Sequence, residues 1–158
     1  TYPDAQIEFT PRLCMHCDNP PCVPVCPTGA TYQMEDGTVV VDADKCQSCG
    51  ACIDECPYGA RMLMEETPAY FPEKGASQQE KAMYRRFVID TTYKCDFCKS
   101  LGAEIPACVR TCPADARFFG NIDDKDSEVT KLLKANKTFV ISPEFGTKPQ
   151  IYYIPKKK

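Results

Sequence analysis

The chain is 158 residues long, enough for one compact domain or two small ones, yet 14 Pro, 8 Gly and no Trp make a conventional apolar core hard to build. A formal charge of −3, with no basic stripe interleaved with aromatics, argues against a nucleic-acid binder, and Lys156-Lys157-Lys158 reads as a solvated tail. No apolar run approaches a membrane span and no signal peptide is visible, so any membrane contact is expected to belong to another chain.

In chain order, Cys14, Cys17, Cys22 and Cys26 come first, closing on Cys-Pro. Thr31 to Met34 and Thr38 to Val41 then flank Asp36-Gly37, which predicts a hairpin with a primed turn. A second quartet, Cys46, Cys49, Cys52 and Cys56, precedes a predicted strand from Arg61 to Met64. Residues 66–94 break this spacing with Pro68, Pro72 and Gly75, a charged stretch and the strand-like Phe87-Val88-Ile89-Asp90. They are expected to be an inserted, solvated loop and not a partner-docking arm. The third quartet is Cys95, Cys98, Cys108 and Cys112, followed by a predicted strand from Arg117 to Phe119. Ser127 can cap a short helix with an apolar face of Val129, Leu132 and Leu133. Thr138 to Ile141 and Gln150 to Ile154 read as two strands joined by a Pro/Gly-rich loop.

The quartets use all twelve cysteines. Cys26-Pro27-Thr28-Gly29-Ala30, Cys56-Pro57-Tyr58-Gly59-Ala60 and Cys112-Pro113-Ala114-Asp115-Ala116 are degenerate copies of one module. The middle quartet runs C-x2-C-x2-C-x3-C-P, the bacterial ferredoxin spacing for a 4Fe–4S cluster. Six disulfides are the first alternative, but disulfide frameworks rarely repeat one ligand-like spacing. Zinc is the second; a third cysteine only two or four residues after the pair fits poorly around one small ion, whereas a cubane offers four separated iron corners.

In the crossed ferredoxin arrangement, Cys14, Cys17 and Cys22 share a cluster with Cys56, and Cys46, Cys49 and Cys52 take Cys26. The proline after each last cysteine turns the chain away from the cluster. Three clusters are expected from the cysteines present, bringing the charge of the loaded protein to roughly −9, since metal binding needs thiolates. Crossing pairs quartets and three is odd. Either Cys112 closes its own cluster with Cys95, Cys98 and Cys108, or a further quartet, and a fourth cluster, precedes Thr1; the second is the expectation.

The implied fold class is α+β, small and loop-rich, with repeated ferredoxin-like cluster-binding modules and short β-hairpins. Residues 1–65 would form a two-cluster module, 66–94 an insertion, 95–121 a third half-module, and 122–158 a C-terminal helix and hairpin. Full cysteine ligation leaves no open iron, so electron exchange is expected in place of catalysis. His16, the only histidine, leaves histidine-based hydrolytic sites without a second component. It is expected to donate a hydrogen bond near a cluster or to fill its loop. Lys45, Lys94, Lys99 and Arg110 stand beside cysteines and could raise cluster potentials, or be ordinary surface charge, while Tyr32, Tyr58 and Phe97 are expected to shield clusters from water.

Cys14-Met15-His16-Cys17 with Pro20-Pro21-Cys22, the Cys-Pro-Thr-Gly-Ala after it, Cys49-Gly50-Ala51-Cys52, Cys56-Pro57-Tyr58-Gly59-Ala60 and Pro106-Ala107-Cys108 through Phe119-Gly120 resemble a known family. It is the four-cluster electron-transfer subunit of molybdopterin oxidoreductases of the polysulfide, thiosulfate, tetrathionate, arsenate and dimethyl sulfoxide reductase type. Gly146-Thr147-Lys148-Pro149 and Tyr152-Tyr153-Ile154 resemble its C-terminal end, so the likeness spans nearly the whole chain. It implies a non-catalytic relay between a molybdopterin-containing catalytic subunit and a quinone-linked membrane anchor. Many such complexes work on the outer face of the cytoplasmic membrane, so the resemblance implies a periplasmic location, with export in the folded state beside a partner that carries the signal. A cytoplasmic, free-standing polyferredoxin serving a hydrogenase or formate dehydrogenase is the alternative.

Overall fold

A computed structural model of the chain describes residues 9–155 apart from positions 68 and 86; the lysine tail lies outside these described residues. Regular structure is sparse. Strands β1 (Thr31–Gln33) and β2 (Val39–Val41) pair antiparallel with Thr31 opposite Val41. Strands β3 (Met62–Met64) and β4 (Thr91–Tyr93) form a second antiparallel pair with Met62 opposite Tyr93. Helical pieces are α1 (Ala51–Asp54), α2 (Gln78–Tyr84), α3 (Ala107–Arg110) and α4 (Glu128–Ala135). The result is small and loop-rich with short antiparallel hairpins.

The first hairpin forms where the sequence points, but its turn is of another kind. The Met34 N–H donates to the Thr38 carbonyl and the Gly37 N–H to the Met34 carbonyl, leaving a three-residue loop. Gly37 has φ 80° while Asp36 is not left-handed, so this is a turn followed by one left-handed glycine, without the two positive φ values that a primed type I turn requires. Asp36 Oδ1 accepts the Thr38 N–H at 3.0 Å and fixes the return.

Three expectations downstream shift. The strand that pairs with β3 is Thr91–Tyr93, not Phe87–Asp90; Asp90 turns left-handed at φ 57° with its N–H on the Met64 carbonyl, and the Thr91 hydroxyl donates back to Val88 O at 2.6 Å. Arg117 to Phe119 stays irregular because no described segment offers it a ladder partner. The two C-terminal strands shrink to one bridge, Phe139 with Tyr153. Intervening backbone bonds elsewhere: Asp18 and Asn19 N–H groups donate to Lys148 and Thr147 carbonyls, and the Gln150 N–H donates to Met15 O. The C-terminal segment is therefore a strap across the first cysteine loop.

The insertion is also more ordered than a solvated loop. Ser77 accepts the Glu80 N–H while the Glu80 carboxylate accepts the Ser77 N–H, a reciprocal capping box that starts α2. No residue of α2 is buried, so the helix stands off the core. In contrast, α4 begins at Ser127 as the sequence indicates, with Thr130 buried and Val129, Leu132 and Leu133 half-buried.

Cysteines supply much of the interior. One buried cluster is Met15, Cys17 and Tyr58, flanked by Cys56, Ala60, Ile141 and Ile151; the other is Cys22, Val39 and Cys52, flanked by Val23, Val25 and Ile53. Removing the α4 cap with Ser127→Ala is expected to lower stability by about 1 kcal/mol in denaturant unfolding. Ser77→Ala should leave that global midpoint unchanged while speeding proteolysis within 70–85, since α2 contributes nothing buried.

Candidate metal centre

The loop around each cysteine pair is built the same way. The residue before the second cysteine is left-handed in all three: His16 (φ 42°), Ser48 (φ 55°) and Phe97 (φ 57°). Each Cys-Pro segment then closes a turn in which the third residue past the cysteine is left-handed, namely Gly29, Gly59 and Asp115. Its N–H returns to the carbonyl of Cys26, Cys56 or Cys112 at 3.1–3.3 Å. Gly50, at φ 76°, starts α1 and carries Cys52 inward. Such kinks are costly for most residues, and here they rotate successive sulfurs toward a common centre.

Two cavities result. One is lined by Cys14, Cys17, Cys22 and Cys56, together with Tyr58 and Arg61. The other is lined by Cys26, Cys46, Cys49 and Cys52, with Thr28, Thr31 and Thr92. The structure thus gathers three cysteines of one quartet with the last of the other, twice. All twelve cysteines are free thiols, so none is spent on a disulfide. Among the described residues, no three Cys, His, Asp or Glu side chains converge closely enough to hold a single metal ion. Four cysteines line each cavity, one for each iron corner of a cubane.

The third quartet is not gathered around either cavity. Cys95 is half-buried, Cys98 is left-handed at φ 61°, Cys108 is exposed on α3, and Cys112 accepts the Ala116 N–H at 3.4 Å.

Around the first cavity the polar groups are cationic. Arg61, only 6% exposed, donates to Cys22 Sγ at 3.1 Å and to Thr31 Oγ1 at 3.2 Å. The Lys94 ammonium donates to the Val39 and Cys95 carbonyls; burial lowers its pKa, and the Cys14 side chain beside it works the other way. Among the described residues, ion pairs join Lys45 to Asp42, Lys99 to Asp36 and Lys148 to Asp18, and neither Arg61 nor Lys94 has a carboxylate partner. A buried cation needs an anion, and the cysteinates of a cluster provide one. The residues present therefore fit the group.

Burial pushes the Cys17 and Cys22 thiols up, opposed at Cys17 by the Thr147 hydroxyl and at Cys22 by Arg61. At Cys26 burial is outweighed: the Thr31 N–H at 3.4 Å and the Thr28 hydroxyl at 3.7 Å bring it down to about 7. At Cys52 the neighbour is the Thr92 hydroxyl, 3.7 Å away.

The other residues singled out in the sequence divide clearly. His16 is buried, stacks on Phe97 with ring centroids 3.8 Å apart, and accepts the Val39 N–H at Nδ1. Burial first, then Lys94, hold its pKa down to about 3, so the ring is neutral with its proton on Nε2, which faces the Cys95 carbonyl without a hydrogen bond. Tyr58 is buried with its hydroxyl on Thr147, while Tyr32 is 42% exposed and shields little. Lys45 and Lys99 are spent on Asp42 and Asp36; Lys99 holds Asp36 down to about 2, and Arg110 is exposed. Arg61, Thr92 and Thr147 escaped the sequence reading. Arg61 alone had a visible signal, as the fifth residue past the last cysteine of its quartet, where Arg117 recurs in the third copy. Acid-quenched, denatured protein handled anaerobically and given no reductant is expected to titrate twelve thiols; a deficit of two or more would contradict the free-thiol arrangement.

Residues 5–71, which contain the first two quartets, match the 4Fe-4S dicluster domain. The chain is 40% identical over 167 residues to a subunit of the sulfite dehydrogenase of Allochromatium vinosum, covering 100% of this chain and 60% of that protein. It is 40% identical over 148 residues to a subunit of the tetrathionate reductase of Salmonella typhimurium, covering 91% and 50%. With the arsenate respiratory reductase iron-sulfur subunit ArrB of Shewanella sp. it shares 35% over 190 residues, 98% of this chain and 78% of the relative. The chain spans only 50–60% of the length of the first two. Cysteine loops that converge on two cavities, a matching dicluster domain and relatives aligned along nearly the entire chain lead to one assignment: the chain belongs to the family of iron–sulfur subunits of oxidoreductases that includes these proteins.

Proposed function

We propose that this protein is an electron relay: it holds 4Fe–4S clusters and passes single electrons between a molybdopterin-containing catalytic subunit and a quinone-linked membrane partner, without binding a substrate itself. The observation that carries this reading is the crossed grouping of sulfurs, with Cys14, Cys17, Cys22 and Cys56 around one cavity and Cys26, Cys46, Cys49 and Cys52 around the other. Four thiolates per cubane occupy every iron, so the group supplies outer-sphere electron transfer and no open coordination position.

The chain's own residues do the remaining work. The cysteines bind, the left-handed loop residues orient them, and Met15, Val39 and Tyr58 keep water away from the sulfurs. Low solvent access and fixed dipoles limit the reorganisation that accompanies each charge change. Adjacent crossed sites also suit a short path for the electron.

Residues 1–65 act as a two-cluster ferredoxin-like module under this reading, and 95–121 as a further half-module whose Cys95, Cys98, Cys108 and Cys112 contribute to a third cluster. The recurrence of one turn at Gly29, Gly59 and Asp115 supports a repeated module. Residues 66–94 are the insertion, and 122–158 carry α4 and the strap. No described helix is long and apolar enough to cross a membrane; the quinone-linked anchor is part of the proposal as a partner chain. The name of the arsenate respiratory reductase relative favours a respiratory complex, and we place the protein on the periplasmic face with its catalytic partner.

Anaerobic quantitation is expected to give about four irons and four acid-labile sulfides per cluster, so about twelve of each if all three quartets are loaded. Zinc with no sulfide would refute the relay. The crossing has its own test: Cys56→Ser and Cys22→Ser should perturb the same paramagnetic resonance signal, while Cys26→Ser and Cys49→Ser perturb another. Pairing of Cys56 with Cys49 in that experiment would mean that each quartet closes on itself.

A further inference from the structure

The two cavities share a loop design but not a charge. Five residues past its last cysteine the first quartet has Thr31, and the second has Arg61. Crossing delivers Arg61 to the cavity of Cys14, Cys17, Cys22 and Cys56, where it is the only charged residue among the described residues of the lining. The other cavity is lined by cysteines, threonines, Gln47, Ala30 and Gly50, with no charged side chain among the described residues. The nearest cation in sequence, Lys45, turns outward to Asp42.

The position of Arg61 is rigid. One guanidinium nitrogen lies 3.1 Å from Cys22 Sγ and another 3.2 Å from Thr31 Oγ1, and the residue is 6% exposed. Arginine keeps its charge at any pH the fold tolerates. Lys94 lies on the same side, its ammonium drawn inward by the Val39 and Cys95 carbonyls. A reduced 4Fe–4S cluster carries one more negative charge than an oxidised one, so a fixed cation at a ligand sulfur favours reduction. At this burial, solvent and salt screen the effect little. The second site has dipoles in place of charge: the Thr31 N–H on Cys26 and the hydroxyls of Thr28 and Thr92.

We propose that Arg61 sets the potential of the cluster held by Cys14, Cys17, Cys22 and Cys56 above that of the cluster held by Cys26, Cys46, Cys49 and Cys52. An electron shared by the pair then resides at the Arg61 site. Arg61 is a positioning residue in this role; it binds no iron. The inference rests on the crossed ligand sets proposed above, and it adds a direction to the pair.

The test is a redox titration of the intact, cluster-loaded protein followed by paramagnetic resonance. Arg61→Gln, which keeps a hydrogen-bond donor but loses the charge, should lower the midpoint of one cluster and leave the others in place. Arg61→Lys should stay near the wild-type value. If Arg61→Gln titrates as wild type, or if Lys and Gln shift the midpoint equally, the charge does not set the potential and the proposal fails. Should Arg61→Gln lose iron, the wild-type protein still decides. The signal perturbed by Cys22→Ser must appear at a higher potential than the signal perturbed by Cys49→Ser, and the opposite order overturns the proposal. Failure of Cys22→Ser and Cys56→Ser to affect one common signal would instead count against the ligand sets, so the two failures are distinguishable.

Discussion

A guanidinium buried against a cysteine sulfur, with no ion-pair partner among the described residues, is the constraint from which the rest of this structure follows. An unpaired cation in a protein interior costs several kcal/mol, and a hydrogen bond to a neutral thiol cannot offset that. Ionised sulfurs around an iron cubane can. The first cavity sets Arg61 among four cysteines, with Lys94 close by, and burial pushes the Cys17 and Cys22 thiols up. Metal binding removes those thiol protons and supplies the anion. The interior is therefore electrostatically matched to a cluster, and its apolar part is too small to be the main source of cohesion, since cysteines fill both buried groups.

The same constraint explains the unusual distribution of backbone conformations. Sulfurs from distant parts of the chain must face one centre, so the loops turn left-handed immediately before the second cysteine of each pair and again three residues beyond each Cys-Pro cysteine. Short hairpins suffice to hold these loops. β1 with β2 carries the bonds that fix His16 and Lys94, and β3 with β4 delivers Arg61 on one side and Thr92 on the other. The C-terminal strap adds no ligand, yet its backbone clamps Met15, Asp18 and Asn19, and Thr147 reaches both Tyr58 and Cys17.

Much of this was legible in the chain because cysteine spacing is a discrete code. The Asp36-Gly37 reversal and the Ser127 cap follow from local chemistry that tertiary context did not override, and the cysteines that line the two cavities are ones the spacing singles out. What escaped the reading depended on long-range partners. Arg117 to Phe119 has strand-like residues but no described strand beside it, and of Gln150 to Ile154 only Tyr153 pairs with Phe139 while the Gln150 N–H goes to Met15, over a hundred residues away. Phe87 to Asp90 looked extended, but the register with β3 selected the threonines that follow. Arg61 was hidden for a related reason. Its role arises from a contact with Cys22, 39 positions earlier, which only the crossing brings about. The helix α2 was readable from Ser77 and Glu80, a capping signal inside a segment whose prolines drew attention to a loop.

The central claim is that cluster binding and folding of the sulfur-lined core are one process. Hydrogen exchange followed by mass spectrometry on the same protein, first with its clusters and then after anaerobic chelation of iron, tests it directly. The account predicts that protection across 14–64 and in the strap at 146–153 is lost together when iron leaves, while α4 retains part of its own. If the chelated protein keeps full protection around Arg61 and the cysteine loops, the fold supports its buried cations without cluster charge, and the account is contradicted.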